Sequence, residues 1–137
     1  MAGTTSPHPS DQRRPGSLLG RIAARLGRSE QEEHAAELTQ EADALGTTRI
    51  SDVDDRRMAE VSGVIRSLTL PPATKVPTLV ADLYDGTGSM SLVWLGRREI
   101  RGIVPGVRMR VQGRVTYRKG VPTMFNPRYD LLPRHVR

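Results

Sequence analysis

Basic and apolar side chains alternate from Val107 to Arg118. Alternate residues of a β-strand point to opposite faces, so one face of this segment is apolar and the other is cationic. The cationic face carries Arg108, Arg110, Arg114 and Arg118. A guanidinium group binds phosphate oxygens through a rigid fork of N–H donors. The pattern therefore favours binding of a polyanion over catalysis.

Further cations lie at the ends of predicted strands and in the segments between them. They are Arg66, Lys75, Arg97, Arg98, Arg101, Lys119 and Arg128. For any single residue in this set, a solvated surface position is the better explanation. For the whole set, contact with phosphates is the better interpretation.

The net charge of +6 is unevenly distributed along the chain. Residues 1–57 hold eight arginines and ten acidic residues, whereas residues 58–137 hold thirteen basic and five acidic residues. A basic domain behind a mildly acidic leader indicates a phosphate-bearing partner. The alternative is that the arginines only maintain solubility.

Platforms on which a nucleobase could stack are few, because the chain has one Trp, three Tyr and one Phe. Trp94 is the best stacking candidate, and a core position fits it equally well. Tyr84 alternates away from the apolar residues of its strand, which favours exposure, with closure of the domain's end as the alternative. Phe125 is predicted to be a core residue, Tyr129 a rim residue, and Tyr117 lies on an apolar face.

No constellation of catalytic residues is visible in the sequence. His8, His34 and His135 belong to three separate segments, so neither a metal cluster nor a nucleophile–base pair can be recognised. The chain has no cysteine, which excludes disulfides, zinc–thiolate sites and thiol catalysis. Asp85 is explained as a turn residue that accepts hydrogen bonds from its own backbone. We expect a protein that is not an enzyme and has no metal or cofactor.

Periodicity predicts the strands that position these side chains. Small and β-branched residues from Met58 to Leu70 indicate a first strand, in which Gly63 permits a bend or bulge. Alternation at 76–84 and an apolar run at 89–95 predict a hairpin around the glycine-rich turn at 85–88. The inward face of the run at 89–95 stays undetermined, because nearly all of its residues are apolar.

The second half of the domain supplies two more strands. The segment 96–102 is long enough for one or two helical turns. The alternating arginine segment forms the fourth strand, and Thr123–Asp130 is predicted to be a last short strand.

The first 46 residues differ in composition from the rest. Residues 1–16 are polar and rich in Pro, Gly, Ser and Thr, and are predicted to be a disordered tail. Apolar residues at helical spacing predict a helical leader over 17–46, which stops at Gly27 and restarts at a capping box formed by Ser29 and Glu32. The remaining boundaries are a linker at 47–57, a folded domain at 58–132 and a C-terminal tail at 133–137.

The leader is expected to lean on the domain, on a second copy or on a protein partner. The alternation of the domain is complete without it, so removal of residues 1–45 is expected to leave the domain folded. No apolar run approaches the ~20 residues of a membrane span, and no secretion signal begins the sequence. We therefore expect a soluble, cytoplasmic protein without a membrane partner.

The order of these motifs resembles a known family. The runs D-G-T-G-S-M-S-L-V-W, V-P-G-V-R-M-R-V-Q-G-R-V and F-N-P-R-Y are similar to the OB-fold of the anticodon-binding type. They most resemble the wedge domain of RecG-type helicases, and small stand-alone actinobacterial OB-fold proteins share the pattern. The resemblance covers about residues 58–132 and implies a mainly β fold, a five-stranded barrel with an N-terminal helical segment. The leader lies outside it.

The resemblance also implies a ligand position. OB-folds bind oligonucleotides across strands two and three, between the loops that join strands one to two and four to five. The stripe on strand four would then lie on the other flank, so Lys75, Arg118 and Lys119 are the safer phosphate contacts. The chain has no G-x-x-x-x-G-K-[ST] phosphate loop, so the helicase activity is not implied.

Two functions of different classes fit the sequence. The first is a nucleic-acid-binding module without sequence specificity, with single-stranded DNA as first choice of partner and RNA as second. The alternative is a protein-interaction domain, an adaptor in a DNA repair, recombination or translation complex.

Overall fold

A computed structural model describes residues 18–72 and 76–133, with side chains described from residue 27 onwards. The predicted disordered tail, Lys75 and the last four residues of the chain lie outside the described residues. The described elements are helix α1 (Leu18–Ala44), a 3-10 turn (Ile50–Asp52), and strands β1 (Met58–Thr69), β2 (Thr78–Tyr84), β3 (Ser89–Leu95), β4 (Arg108–Arg118), β5 (Val121–Phe125) and β6 (Arg128–Leu132).

Five of the strands close into a ring in the order β1-β2-β3-β5-β4, because β1 pairs with both β2 and β4. The pairing of β3 with β5 is parallel, and the other pairings in the ring are antiparallel. This is the strand arrangement of an OB-like barrel, and the predicted fold class is confirmed.

Strand β1 can pair with both β2 and β4 because it is long and bent. Its register against β2 shifts between Ile65 and Ser67, which leaves Arg66 as the extra residue of a bulge. A Cβ atom at Gly63 would come within 2.5 Å of the carbonyl oxygen of Tyr84. Glycine is therefore required where β1 crosses the end of β2.

The prediction of one final strand over Thr123–Asp130 is wrong, because the chain forms two strands there. Asn126, with φ of +49°, and Pro127 interrupt the ladder between β5 and β6. The Asn126 side chain accepts a hydrogen bond from the Leu95 N–H at 2.9 Å, which holds this corner against the end of β3. Both strands pair with β4, so β6 adds a sixth strand beside the ring.

The connector between β3 and β4 contains no helical turn, contrary to the prediction for 96–102. Gly96, Gly102 and Gly106 all have positive φ, so the segment changes direction three times. Ile100 and Ile103 are buried and belong to the barrel core. Their burial explains why isoleucines stand next to the charged residues of this connector.

The core fills the barrel from the inward faces of its strands. The largest fully buried apolar side chains of the strands are Val61, Ile65, Leu83, Met90, Leu92, Met109, Val111, Val115 and Met124. The alternation predicted for β4 is confirmed from Met109 to Val115. At the end of that face, Tyr117 is partly exposed and donates its hydroxyl proton to the Val53 carbonyl at 3.0 Å.

Helix α1 is continuous from Leu18 to Ala44, so the predicted stop at Gly27 and restart at Ser29 are wrong. A mid-helix glycine costs only about 1 kcal/mol relative to alanine. A Cβ at Gly27 would meet nothing within 4 Å, so no neighbour imposes a turn there. No helix in the described part of the chain is long and apolar enough to span a membrane.

The last turns of α1 pack on the barrel. Leu38 and Ala42 are each 2 % exposed and face β1 near Ser62. The Thr39 hydroxyl donates to the Asp85 carbonyl at 3.2 Å. At the other end of this contact, the Arg108 guanidinium donates to both carboxylate oxygens of Glu41, at 2.6 and 3.2 Å.

The Asp85 carboxylate is fully buried beside this contact. It accepts hydrogen bonds from the Thr87 N–H and hydroxyl at 2.9 and 2.6 Å and from the Gly88 N–H at 3.2 Å. These bonds confirm its predicted role in the turn. A further bond comes from the Ile50 N–H at 2.8 Å, so the same carboxylate also anchors the segment before β1.

An exposed ion pair closes the end of α1. The Arg49 guanidinium bonds both oxygens of Asp43, at 3.1 and 2.7 Å. This hydrogen bond holds the pKa of Asp43 below its ordinary value and raises the pKa of Arg49. Because the pKa of Asp43 is lower in the folded state, the pair's small contribution to stability is lost as pH falls through that pKa.

The packing of α1 changes the expectation for a truncated chain. Deletion of residues 1–33 should leave the denaturation midpoint unchanged. Deletion of residues 1–45 should lower the free energy of unfolding by about 3 kcal/mol, because it removes two buried apolar side chains and the carboxylate paired with Arg108. Urea denaturation followed by circular dichroism measures both. Equal midpoints for the two truncations would show that α1 does not stabilise the barrel.

Candidate nucleic-acid interface

Strands β2, β3 and β5 present one continuous outward surface, the β2–β3–β5 face. Its residues alternate with the core residues of the same strands. They are Val80, Asp82, Tyr84, Ser89, Ser91, Val93, Val121, Thr123 and Phe125. Helix α1 packs elsewhere, on β1 and the turn after β2.

Register arranges these side chains in two rows across the strands. An apolar row joins Val80 to Val93 and Val93 to Phe125. A polar row joins Asp82 to Ser91 and Ser91 to Thr123. Val93 and Thr123 are themselves buried, and the Thr123 hydroxyl donates to the Val121 carbonyl at 3.1 Å. The accessible groups of the two rows are therefore Val80 and Phe125 in the apolar row and Asp82 and Ser91 in the polar row.

Two aromatic rings on this face are each covered by a guanidinium. The Arg66 guanidinium carbon lies 3.7 Å from the centre of the Tyr84 ring. The Arg118 guanidinium carbon lies 5.4 Å from the centre of the Phe125 ring. Strand spacing and rise put the Cα atoms of Tyr84 and Phe125 about 16 Å apart, so the two rings belong to opposite ends of the face. Cation–π contact holds each guanidinium in place while leaving its N–H donors available for phosphate.

The loops at the ends of the face add apolar and basic groups. Leu70 and Val76 are exposed on either side of the undescribed loop residues 73–75, and Leu95 is exposed at the end of β3. Lys119 stands exposed in the turn between β4 and β5, with φ of +52°. A ligand crossing the face would meet cations and apolar side chains together.

Of the two positions that the sequence left open for Trp94, the structure shows the core position and not the stacking one, because this side chain is 5 % exposed and belongs to the core. Its ring meets Tyr129 edge-to-face, with centroids 5.9 Å apart and planes at 82°. Tyr84 lies on the outward face, as its alternation predicted. Phe125 was predicted to be core, but it is 39 % exposed on the same face. Its position follows from alternation with the buried Met124, a signal that was present in the sequence.

The arginine stripe of β4 divides into two parts. Arg108 is held by Glu41, and Arg110 donates to Glu60 at 3.3 Å, so acidic neighbours already neutralise both charges. The Nε atom of Arg110 is buried and has no hydrogen-bond partner. Arg114 is exposed, and Arg118 reaches the β2–β3–β5 face. The predicted phosphate contact therefore fits Arg118 best within this stripe.

The remaining predicted cations do not gather on the face. Arg97, Arg98 and Arg101 are exposed in the connector after β3. Arg128 is exposed on β6 opposite Gln112, beside β4. A cleft of about 530 Å³ lies there, lined by Arg128 and Arg110 together with acidic residues. Its mixed charge does not favour a polyanion.

The arrangement is suited to binding. Within residues 27–72 and 76–133, no group of three His, Asp or Glu side chains could hold a metal ion. The buried carboxylate, Asp85, is committed to structural hydrogen bonds. What the face offers a ligand is cations, two aromatic rings and hydroxyl groups.

Comparisons of the sequence with known proteins identify no relative. No protein-family model and no curated protein sequence matches the chain. Among solved structures, the chain is similar to a subunit of a replication protein A heterotrimer bound to single-stranded DNA. The TM-score is 0.45 at 13 % identity, and the match covers 66 % of this chain and 75 % of that one. A likeness this distant does not transfer binding residues.

Two substitutions compare the contribution to stability of the core ring, Trp94, with that of the exposed ring, Phe125. Trp94→Ala should lower the free energy of unfolding by about 3–5 kcal/mol, because it empties part of the core. Phe125→Ala should cost about 1 kcal/mol or less, because much of the ring is already in water. Urea denaturation followed by circular dichroism provides the comparison. An unchanged midpoint for Trp94→Ala would contradict its place in the core.

Proposed function

We propose that this protein binds single-stranded nucleic acid across the β2–β3–β5 face, with DNA as first choice of ligand and RNA as second. The observation that carries the proposal is the pair of guanidinium-covered rings, Tyr84 with Arg66 and Phe125 with Arg118, at opposite ends of one open face. Phosphate and base recognition need cations and aromatic surface in one place, and both are present here.

The roles of the residues follow from their positions. Arg66, Arg118 and Lys119 contact phosphates, since their side chains stand at the ends of the face. The exposed part of Phe125 and the partly buried Val80 pack against bases. With only two rings available, we expect affinity in the micromolar range or weaker, and a strong dependence on salt. Nothing in this arrangement requires catalysis.

A second candidate function is docking on a protein partner as an adaptor in a repair, recombination or translation complex. It is favoured by the part of α1 from residue 27 to residue 34, where every described side chain is exposed. This surface is acidic, with Glu30, Glu32 and Glu33. It would repel nucleic acid and suits a basic protein surface.

Fluorescence anisotropy with labelled single-stranded DNA, RNA and duplex DNA, at low and moderate salt, tests the proposal. We expect single strands to bind more tightly than duplex, and the affinity to fall steeply with salt. The double variant Arg118→Gln plus Lys119→Asn should weaken binding and reduce the log–log salt slope by about 1.4, for two lost single-strand phosphate contacts. Asparagine is chosen because it tolerates the positive φ at Lys119.

The matched control is Arg101→Gln plus Arg128→Gln, which removes two exposed positive charges from outside the face. It should change affinity much less than the first double variant. Equal losses in both would contradict the placement of the ligand on the face. Binding that is absent at low salt would count against nucleic acid altogether and favour the protein partner.

A further inference from the structure

Asp82 is an acidic residue of the β2–β3–β5 face, midway along β2 and beside the central strand β3. It lies between Ser67 of β1 and Ser91 of β3 in the register, and its side chain is half-buried. Within the described residues, no hydrogen bond or ion pair engages its carboxylate, although Arg66 directly precedes Ser67, the register partner of Asp82 on β1. Structural hydrogen bonds therefore do not explain why an acidic residue stands on a face that is proposed to bind a polyanion.

The negative charge of Asp82 constrains how a strand can lie. Phosphates that crossed the middle of the face would be repelled by the carboxylate, whereas phosphates near Arg66 and Arg118 are attracted. The favourable arrangement places the backbone along the cations at the ends and turns the bases toward the middle. Asp82 then meets the edge of a base.

A carboxylate at a base edge accepts hydrogen bonds and donates none when ionised. Cytosine, adenine and guanine each carry an exocyclic amino group that donates to such an acceptor. Thymine and uracil carry carbonyl oxygens in the corresponding positions, which the carboxylate repels. The serine hydroxyls beside Asp82 can both donate and accept, so they do not reverse this selection.

We propose that Asp82 selects bases that carry an exocyclic amino group, so that the face prefers C-rich over T- or U-rich single strands. This inference rests on the proposed nucleic-acid function and adds a base preference to it.

The test is anisotropy titration of the full chain with oligo-dC and oligo-dT of equal length, about 12 nucleotides, at neutral pH. We expect oligo-dC to bind about tenfold more tightly, the size of effect that one hydrogen bond to a charged group can give. Asp82→Asn keeps the shape of the side chain and removes its charge. Oligo-dT should bind this variant more tightly than it binds the parent protein. The preference for oligo-dC over oligo-dT should fall to about twofold or less.

The matched control is Asp130→Asn, which removes an exposed acidic charge on β6, opposite Arg110 and outside the face. It should raise the affinity for both oligonucleotides slightly and leave their ratio unchanged. Equal binding of oligo-dC and oligo-dT by the parent protein would overturn the inference and leave the proposed function standing. A preference that persists in Asp82→Asn would show that another group selects the base. Failure of the parent to bind either oligonucleotide would overturn the proposed function and this inference with it.

Discussion

The buried residue Asp85 joins the barrel, the linker and the helix, because its carboxylate binds the turn and the linker while its main-chain carbonyl accepts the Thr39 hydroxyl of α1. It shapes the turn after β2 through Thr87 and Gly88, and it also accepts the Ile50 N–H from the segment before β1. A Cβ on Gly86 would collide with the Ala35 carbonyl, so α1 lies directly on this turn. A buried carboxylate is stable only when its oxygens accept hydrogen bonds, and here three backbone N–H groups and the Thr87 hydroxyl donate them. The last turns of α1 therefore pack on this turn and on β1.

The arginines of this domain have two different environments, although they look alike in the sequence. Those near α1 and the start of β1, Arg108 and Arg110, are neutralised by Glu41 and Glu60 and tie elements together. Arg118 instead lies over an aromatic ring on the open face. Net charge alone thus overstates the number of cations available to a ligand, because acidic neighbours already pair with some of them.

The alternation of residues and the turn motif in the sequence predicted the elements that are determined by neighbouring residues. Strict alternation identified β4, and the Asp85 turn identified the hairpin. Trp94 could not be placed from the sequence, because Val93 beside it is also apolar. Val93 lies on the outward face, next to Phe125 in the register, so both faces of β3 look like core. The pairing of Arg108 with Glu41 joins residues 67 positions apart, and no periodicity reports such a contact.

An NMR titration of the ¹⁵N-labelled protein with a short C-rich oligonucleotide tests directly whether the β2–β3–β5 face is the nucleic-acid interface. If it is, chemical-shift changes should concentrate on the backbone amides of β2, β3 and β5, around Asp82 and Ser91. The amides of α1 and β6 should change little. Changes concentrated on α1 or along β6, or no changes at a large excess of oligonucleotide, would contradict it.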